Sequence, residues 1–252
     1  MGLMANNVIV LGCGRGGTSL AAGLIAGSPV GYDMGDHLVE PREANPKGFF
    51  ESRAINAINE DLMAPALDLF DPNAPQRKQL WLATLSAGTT LDASNEVQPR
   101  IAEACSREPF CYKDPRFCYT LDAWRPHLAR TVFLCVFRDP AATAASIVKE
   151  CHTAPYLASL SMNVDQAMGV WTCMYQHVLE RHSRAGDWLF VHVNQLFTGE
   201  GLDRVEAFID APVDRGFPER SLQRSRGGGD LPAATAGVYQ QLCDRAGYTV
   251  GA

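Results

Sequence analysis

The stretch VIVLGCGRGGTSL, Val8–Leu20, is where the fold is decided. An apolar strand, Asn7–Leu11, runs into glycines at 12, 14, 16 and 17, and a helix opens on Thr18-Ser19. Glycines there let the backbone approach an anion closely, and the amides of a helix N-terminus carry partial positive charge. Gly12, Gly14 and Gly17 spell a dinucleotide fingerprint, but that reading needs a second strand ending in an acidic residue about 20 positions on. The sequence there is AGSPVGYDMGD, a poor strand, so that Asp33 could serve but the element that would present it is weak. An ATP-type phosphate loop needs Lys after Gly17, and Thr18 stands in its place. Arg15 supplies positive charge from inside the loop instead.

Working outward, strands and helices alternate. The pattern predicts strands at Asn7–Leu11, Phe110–Lys113, Thr131–Phe137 and Trp188–Val193. It predicts helices over Gly17–Ala26, Ser52–Leu62, Gln98–Cys105, Ala141–Glu150 (opened by Pro140), Val164–Arg184, Leu202–Ile209 and Ala233–Ala246. TVFLCVF is a continuous apolar run of the kind buried on both faces of a parallel sheet. The expected architecture is α/β, one three-layer, P-loop-like domain over residues 1–252, with a mostly parallel central sheet flanked by helices. Ligands then belong at the carboxyl ends of the strands.

The 252 residues are 46% hydrophobic and 20% charged, with net charge −6. No global basic field is available for nucleic acid or anionic membrane, so an anionic ligand must be held by local cations and amides. The eight cysteines show no C-x-x-C and no zinc spacing, which reads as buried free thiols of a reducing compartment. No secretory signal and no apolar window of about 20 residues is present, so a cytoplasmic location without a membrane span is expected.

Two separated motifs resemble those of the PAPS-dependent sulfotransferases, enzymes whose donor is 3′-phosphoadenosine-5′-phosphosulfate. Gly14-Arg15-Gly16-Gly17-Thr18-Ser19 resembles the loop that holds the donor's 5′-phosphosulfate. FRDPAATAASIVK places Arg138 at a strand end and Ser146 eight residues on, and resembles the 3′-phosphate signature. YKDPR resembles a second basic strand end whose lysine, here Lys113, reaches the sulfuryl group. NPKGFFE (45–51) resembles a loop of bacterial and carbohydrate-directed members. RSRGGGD resembles the C-terminal loop that closes over the 3′-phosphate, which makes Arg226 a further candidate. LFVHVNQL departs from the family's usual segment, with Val193 and Asn194 where Tyr and Glu are common.

The resemblance implies metal-free transfer of a sulfuryl group from PAPS, leaving PAP, to a hydroxyl of a small-molecule or glycan acceptor. Arg15 and Lys113 are the expected charge stabilisers, and Thr18, Ser19 and the loop amides assist. Cytosolic members use a histidine as base where this chain has Pro115. Carbohydrate-directed members use a glutamate after the first helix, and here Glu40, Glu43 and Glu51 are candidates, with His37 nearby. Glu51 is favoured because it closes the NPKGFFE motif. Trp171 and Tyr175 read as a core stripe. Two rival readings remain open, a magnesium- and ATP-dependent small-molecule kinase and a PAP-binding module without turnover. Oligomeric state is not encoded in any motif.

Overall fold

A computed structural model of the protein describes residues 5–43, 45–222 and 228–251. Four strands form its sheet: β1 (Asn7–Leu11), β2 (Cys111–Lys113), β3 (Thr131–Phe137) and β4 (Asp187–His192). Their order is β2-β1-β3-β4 and every pairing is parallel. Val10 pairs with Lys113 and Leu11 with Cys135, so the carboxyl ends of β2, β1 and β3 lie along one edge.

Eight α-helices are described: α1 (Thr18–Ala26), α2 (Arg53–Met63), α3 (Val97–Cys105), α4 (Phe117–Trp124), α5 (Pro140–Thr153), α6 (Val164–Glu180), α7 (Gly199–Ile209) and α8 (Ala233–Ala246). Strand alternation sorts them into layers. Val8, Val10, Leu134 and Val136 face α1 and α7, meeting Leu24, Ile25, Val205 and Ile209. Ile9, Leu11, Phe133, Cys135 and Phe137 face the opposite way, into a larger core with residues of α2–α6 and α8. Each fully buried aliphatic side chain contributes on the order of 1.5–3 kcal/mol. The three-layer α/β expectation is met, with a sheet that is parallel throughout.

Local departures from the sequence reading have simple causes. The long helix ends at Glu180 and tightens into a 3₁₀ turn over His182–Arg184. The fourth strand runs one residue earlier than expected, because His192 already turns the chain by accepting from the Asn194 amide at 3.2 Å. α4 has no counterpart in the expectation. Its sequence FCYTLDAW is short and buried at every position but Asp122, so no solvent-facing side marks it as a helix. All eight cysteines are free thiols, seven buried and Cys173 partly so. Among the described residues no helix is long and apolar enough to cross a membrane.

Candidate active site

A cleft of about 560 Å³ opens at the carboxyl edge of the sheet, and its lining includes Gly14, Arg15, Thr18, Lys113, Arg138 and Glu51. The loop after β1 forms its floor. Gly12 sits at φ 139°, where a Cβ would lie 2.1 Å from the Val136 carbonyl oxygen. Only glycine permits β1 and β3 to approach so closely at that point. Arg15 has φ 68°, a left-handed conformation that costs a side-chain-bearing residue on the order of 1–2 kcal/mol. It turns the guanidinium toward α5, where Nε donates to Ser146 Oγ at 3.1 Å and Nη1 lies 3.9 Å from Glu150. Helix α1 follows Gly17 as its N-cap, with no side-chain cap and no acid in its first turn. Its first amides therefore face the cleft mouth with no protein carboxylate of that turn beside them, as an anion site requires.

Arg138 follows β3 and is partly buried; burial lowers its pKa, Asp139 opposes that, and repulsion from Arg15 adds to the lowering. Two guanidiniums close enough to repel one another are stabilised by an anion that both can reach. Asp139 caps α5 by accepting from the Ala142 amide at 2.8 Å, with Pro140 at the first helical position. This fixes the geometry of the strand-end arginine.

Lys113 ends β2 with its side chain only 2% exposed, and its ammonium donates to the carboxylate of Glu51. Burial would push the Glu51 carboxyl up, but the Lys113 charge and hydrogen bond, with Arg116 and Asn56, together hold it below the usual glutamate range. Behind this pair lies a network that the sequence reading did not include. Arg116 bridges Asp114 at 3.1 Å and Glu60 at 2.8 Å, and Asn59 donates to Asp114 at 2.9 Å. Asn59 also accepts from Thr120 and from the Trp124 indole, so α2, α4 and the end of β2 are tied at one polar core point. Burial raises the Glu60 carboxyl and Asp114 adds to that, against the attraction of Arg116. The only sequence signal for this network was the charged strand end KDPR; its partners lie more than fifty residues away.

Tyr175, expected as core, is fully buried and has a second role. Its hydroxyl donates to the Val136 carbonyl at 2.7 Å and accepts from the Cys13 amide at 3.0 Å, fastening the loop after β1 to β3. Trp81 packs where a Cβ on Gly14 would lie, 2.5 Å from the ring. Neither role was legible in the sequence, since both partners are long-range.

The cleft is thus lined by Gly14, Arg15, Gly17, Thr18, Ser19, Lys113, Glu51 and Arg138, whereas Gly16 is buried within the loop and Ser146 is joined to the cleft through its bond to Arg15. His37 is not among them: it is exposed and, with Glu40, lines a depression that adjoins the cleft and shares Val39, Lys47, Gly48 and Arg53 with it. Glu43 is exposed on the loop and does not line the cleft. Arg226 lies outside the described residues.

The sequence profile of the sulfotransferase family matches residues 7–195, and the chain belongs to that family. Two solved structures share its fold. One is the sulfotransferase domain from the curacin biosynthetic pathway, 14% identical, with TM-score 0.52 over 98% of this chain and 99% of that one. The other is the sulfotransferase domain from the Synechococcus PCC 7002 olefin synthase, 16% identical, with TM-score 0.53 over 99% of this chain and 98% of that one. No curated protein matches the sequence.

Proposed function

We propose that the cleft binds PAPS and transfers its sulfuryl group in line to a hydroxyl of a carbohydrate or secondary-metabolite acceptor, with no metal ion required. The convergence of Arg15, Lys113 and Arg138 on one strand edge, with Glu51 against Lys113, supports this most. The loop amides with Thr18 and Ser19 hold the 5′-phosphosulfate, and Arg138 with Ser146 holds the 3′-phosphate. The S–O bond to the phosphate breaks as the acceptor oxygen bonds to sulfur, and negative charge grows on the bridging oxygen. Arg15 and Lys113 meet that charge with preorganised cations, the arrangement that contributes most in such transfers. Glu51, ionised at neutral pH, takes the proton released by the acceptor hydroxyl.

The test is appearance of PAP and of a sulfated product when PAPS and a panel of hydroxylated acceptors are supplied. Turnover in metal-free buffer is expected, and Arg15→Ala should lower it by about 10²–10³. Phosphorylation of the acceptor from magnesium-ATP would assign the cleft to a kinase. Binding of PAP with no turnover on any acceptor would make the protein a binding module.

A further inference from the structure

We infer that the acceptor carries an anionic group beside its hydroxyl, a carboxylate, sulfate or phosphate, and that Arg42, Arg53 and Lys78 bind it. The inference rests on the sulfuryl-transfer reading of the same cleft. Among the described residues, eight basic and four acidic side chains line it, a local excess of positive charge in a chain of net charge −6. All four carboxylates are already engaged: Glu51 by Lys113, Glu60 by Arg116, Glu150 by Arg15 and Glu219 by Lys47. Lys47 is further held by the Phe217 carbonyl at 2.7 Å, so this lysine is bound to the wall. Arg42, Arg53 and Lys78 make no ion pair with any described carboxylate, and all three are exposed at the cleft.

A donor with two phosphates takes up positive charge as well, so position decides between the ligands. Arg15, Lys113 and Arg138 stand at or just beyond the strand ends, where the phosphate loop is. The other three stand on the loop and helix wall. The Arg42 guanidinium lies 5.8 Å from the Phe49 ring and 5.3 Å from the Tyr156 ring, which preorganises it between two aromatic faces. Lys78 lines the same cleft as Tyr156, and its neighbour Gln79 donates to the Tyr156 carbonyl at 2.9 Å. Arg53 opens α2, whose cleft face continues through Asn56, Ala57 and Glu60 at helical spacing. Phe49, Trp81 and Tyr156 supply flat apolar surface beside these cations. A hydroxylated ring compound bearing an anion fits both features.

The experiment uses the protein saturated with PAP and two matched probe pairs, p-nitrophenyl glucuronide against p-nitrophenyl glucoside and 4-hydroxybenzoate against its methyl ester. Calorimetry should show the acid of each pair binding about tenfold tighter or more, as one or two charge-assisted hydrogen bonds imply. The triple variant Arg42→Gln/Arg53→Gln/Lys78→Gln should lose that preference, while its affinity for PAP changes by less than about threefold, the size of a screened long-range effect. Equal binding of acid and neutral probes overturns the inference, as does a preference that survives in the variant. A fall of PAP affinity by about tenfold or more in the variant overturns it too, because the cations then serve the donor. Failure of the unmodified protein to bind PAP is a different result, one that removes the donor reading itself.

Discussion

At Lys113 and Glu51 the chemistry and the stability of the site meet. The lysine is almost wholly buried and the glutamate nearly so, and removing one partner of such a pair leaves an uncompensated charge. Lys113→Met should therefore cost about 3–5 kcal/mol of stability as well as activity. The double variant Lys113→Met/Glu51→Gln should recover most of that stability and none of the turnover. Urea melts read beside the PAP-release assay separate the two effects, and a double variant as unstable as the single one would contradict the pairing. Glu51→Gln alone should keep PAP affinity and lose turnover. Its carboxyl is held below the ordinary range chiefly because Lys113 outweighs burial, so Glu51 stays ionised through neutral pH and its contribution is lost only as pH falls below the usual glutamate value. At this scale Arg15, Lys113, Arg138 and Ser146 were legible because each sits inside a short contiguous pattern. Arg116, Glu60 and Asn59 were not, because what unites them is a contact between α2 and the end of β2.

Among the elements, the loop between β1 and α1 depends on partners from distant segments. Tyr175→Phe removes the hydroxyl shared by the Cys13 amide and the Val136 carbonyl, so both buried backbone groups lose that partner. A loss of about 1–3 kcal/mol is expected, with weaker PAP binding, since the loop is then no longer fastened to β3. An unchanged melting temperature and unchanged PAP affinity would show that the glycines alone fix the loop. β1, β3 and α8 were read from the sequence with the bounds they have, because apolar runs and caps are local signals. α4 escaped because FCYTLDAW is buried on nearly every side, and the Pro75–Leu82 3₁₀ segment, which carries Trp81 to Gly14, has its partner sixty-seven residues away. Tertiary contact, absent from local pattern, decides both.

For the whole molecule, acid is the condition that loosens the fold. His177 and His192 are buried, and burial with neighbouring positive groups lowers each from the model-peptide 6.5 to about 4. A histidine depressed in the folded state binds its proton first in the unfolded chain. Stability should therefore fall as pH drops from about 6.5 toward about 4 and be fully present above that window. The raised carboxyls of Glu60 and Asp114 act with the opposite sign. The prediction accordingly concerns a difference: His177→Met, which removes a buried titrating ring, should flatten the slope of melting temperature against pH. Parallel slopes for the two proteins would contradict it. The layered α/β arrangement was legible from the alternation of strands and helices, α4 apart, whereas the packing of His177 on α6 against Tyr119 of α4 was not.

The most direct measurement of the central claim is thermal shift of the purified protein with PAP, with ATP plus magnesium and with NADP, each at the same concentration. A ligand at about 100 times its dissociation constant stabilises by about 2.7 kcal/mol, several degrees for a chain of this size. The account predicts that PAP alone raises the melting temperature and that Arg138→Ala abolishes the rise. Stabilisation by magnesium-ATP or NADP without PAP would contradict it.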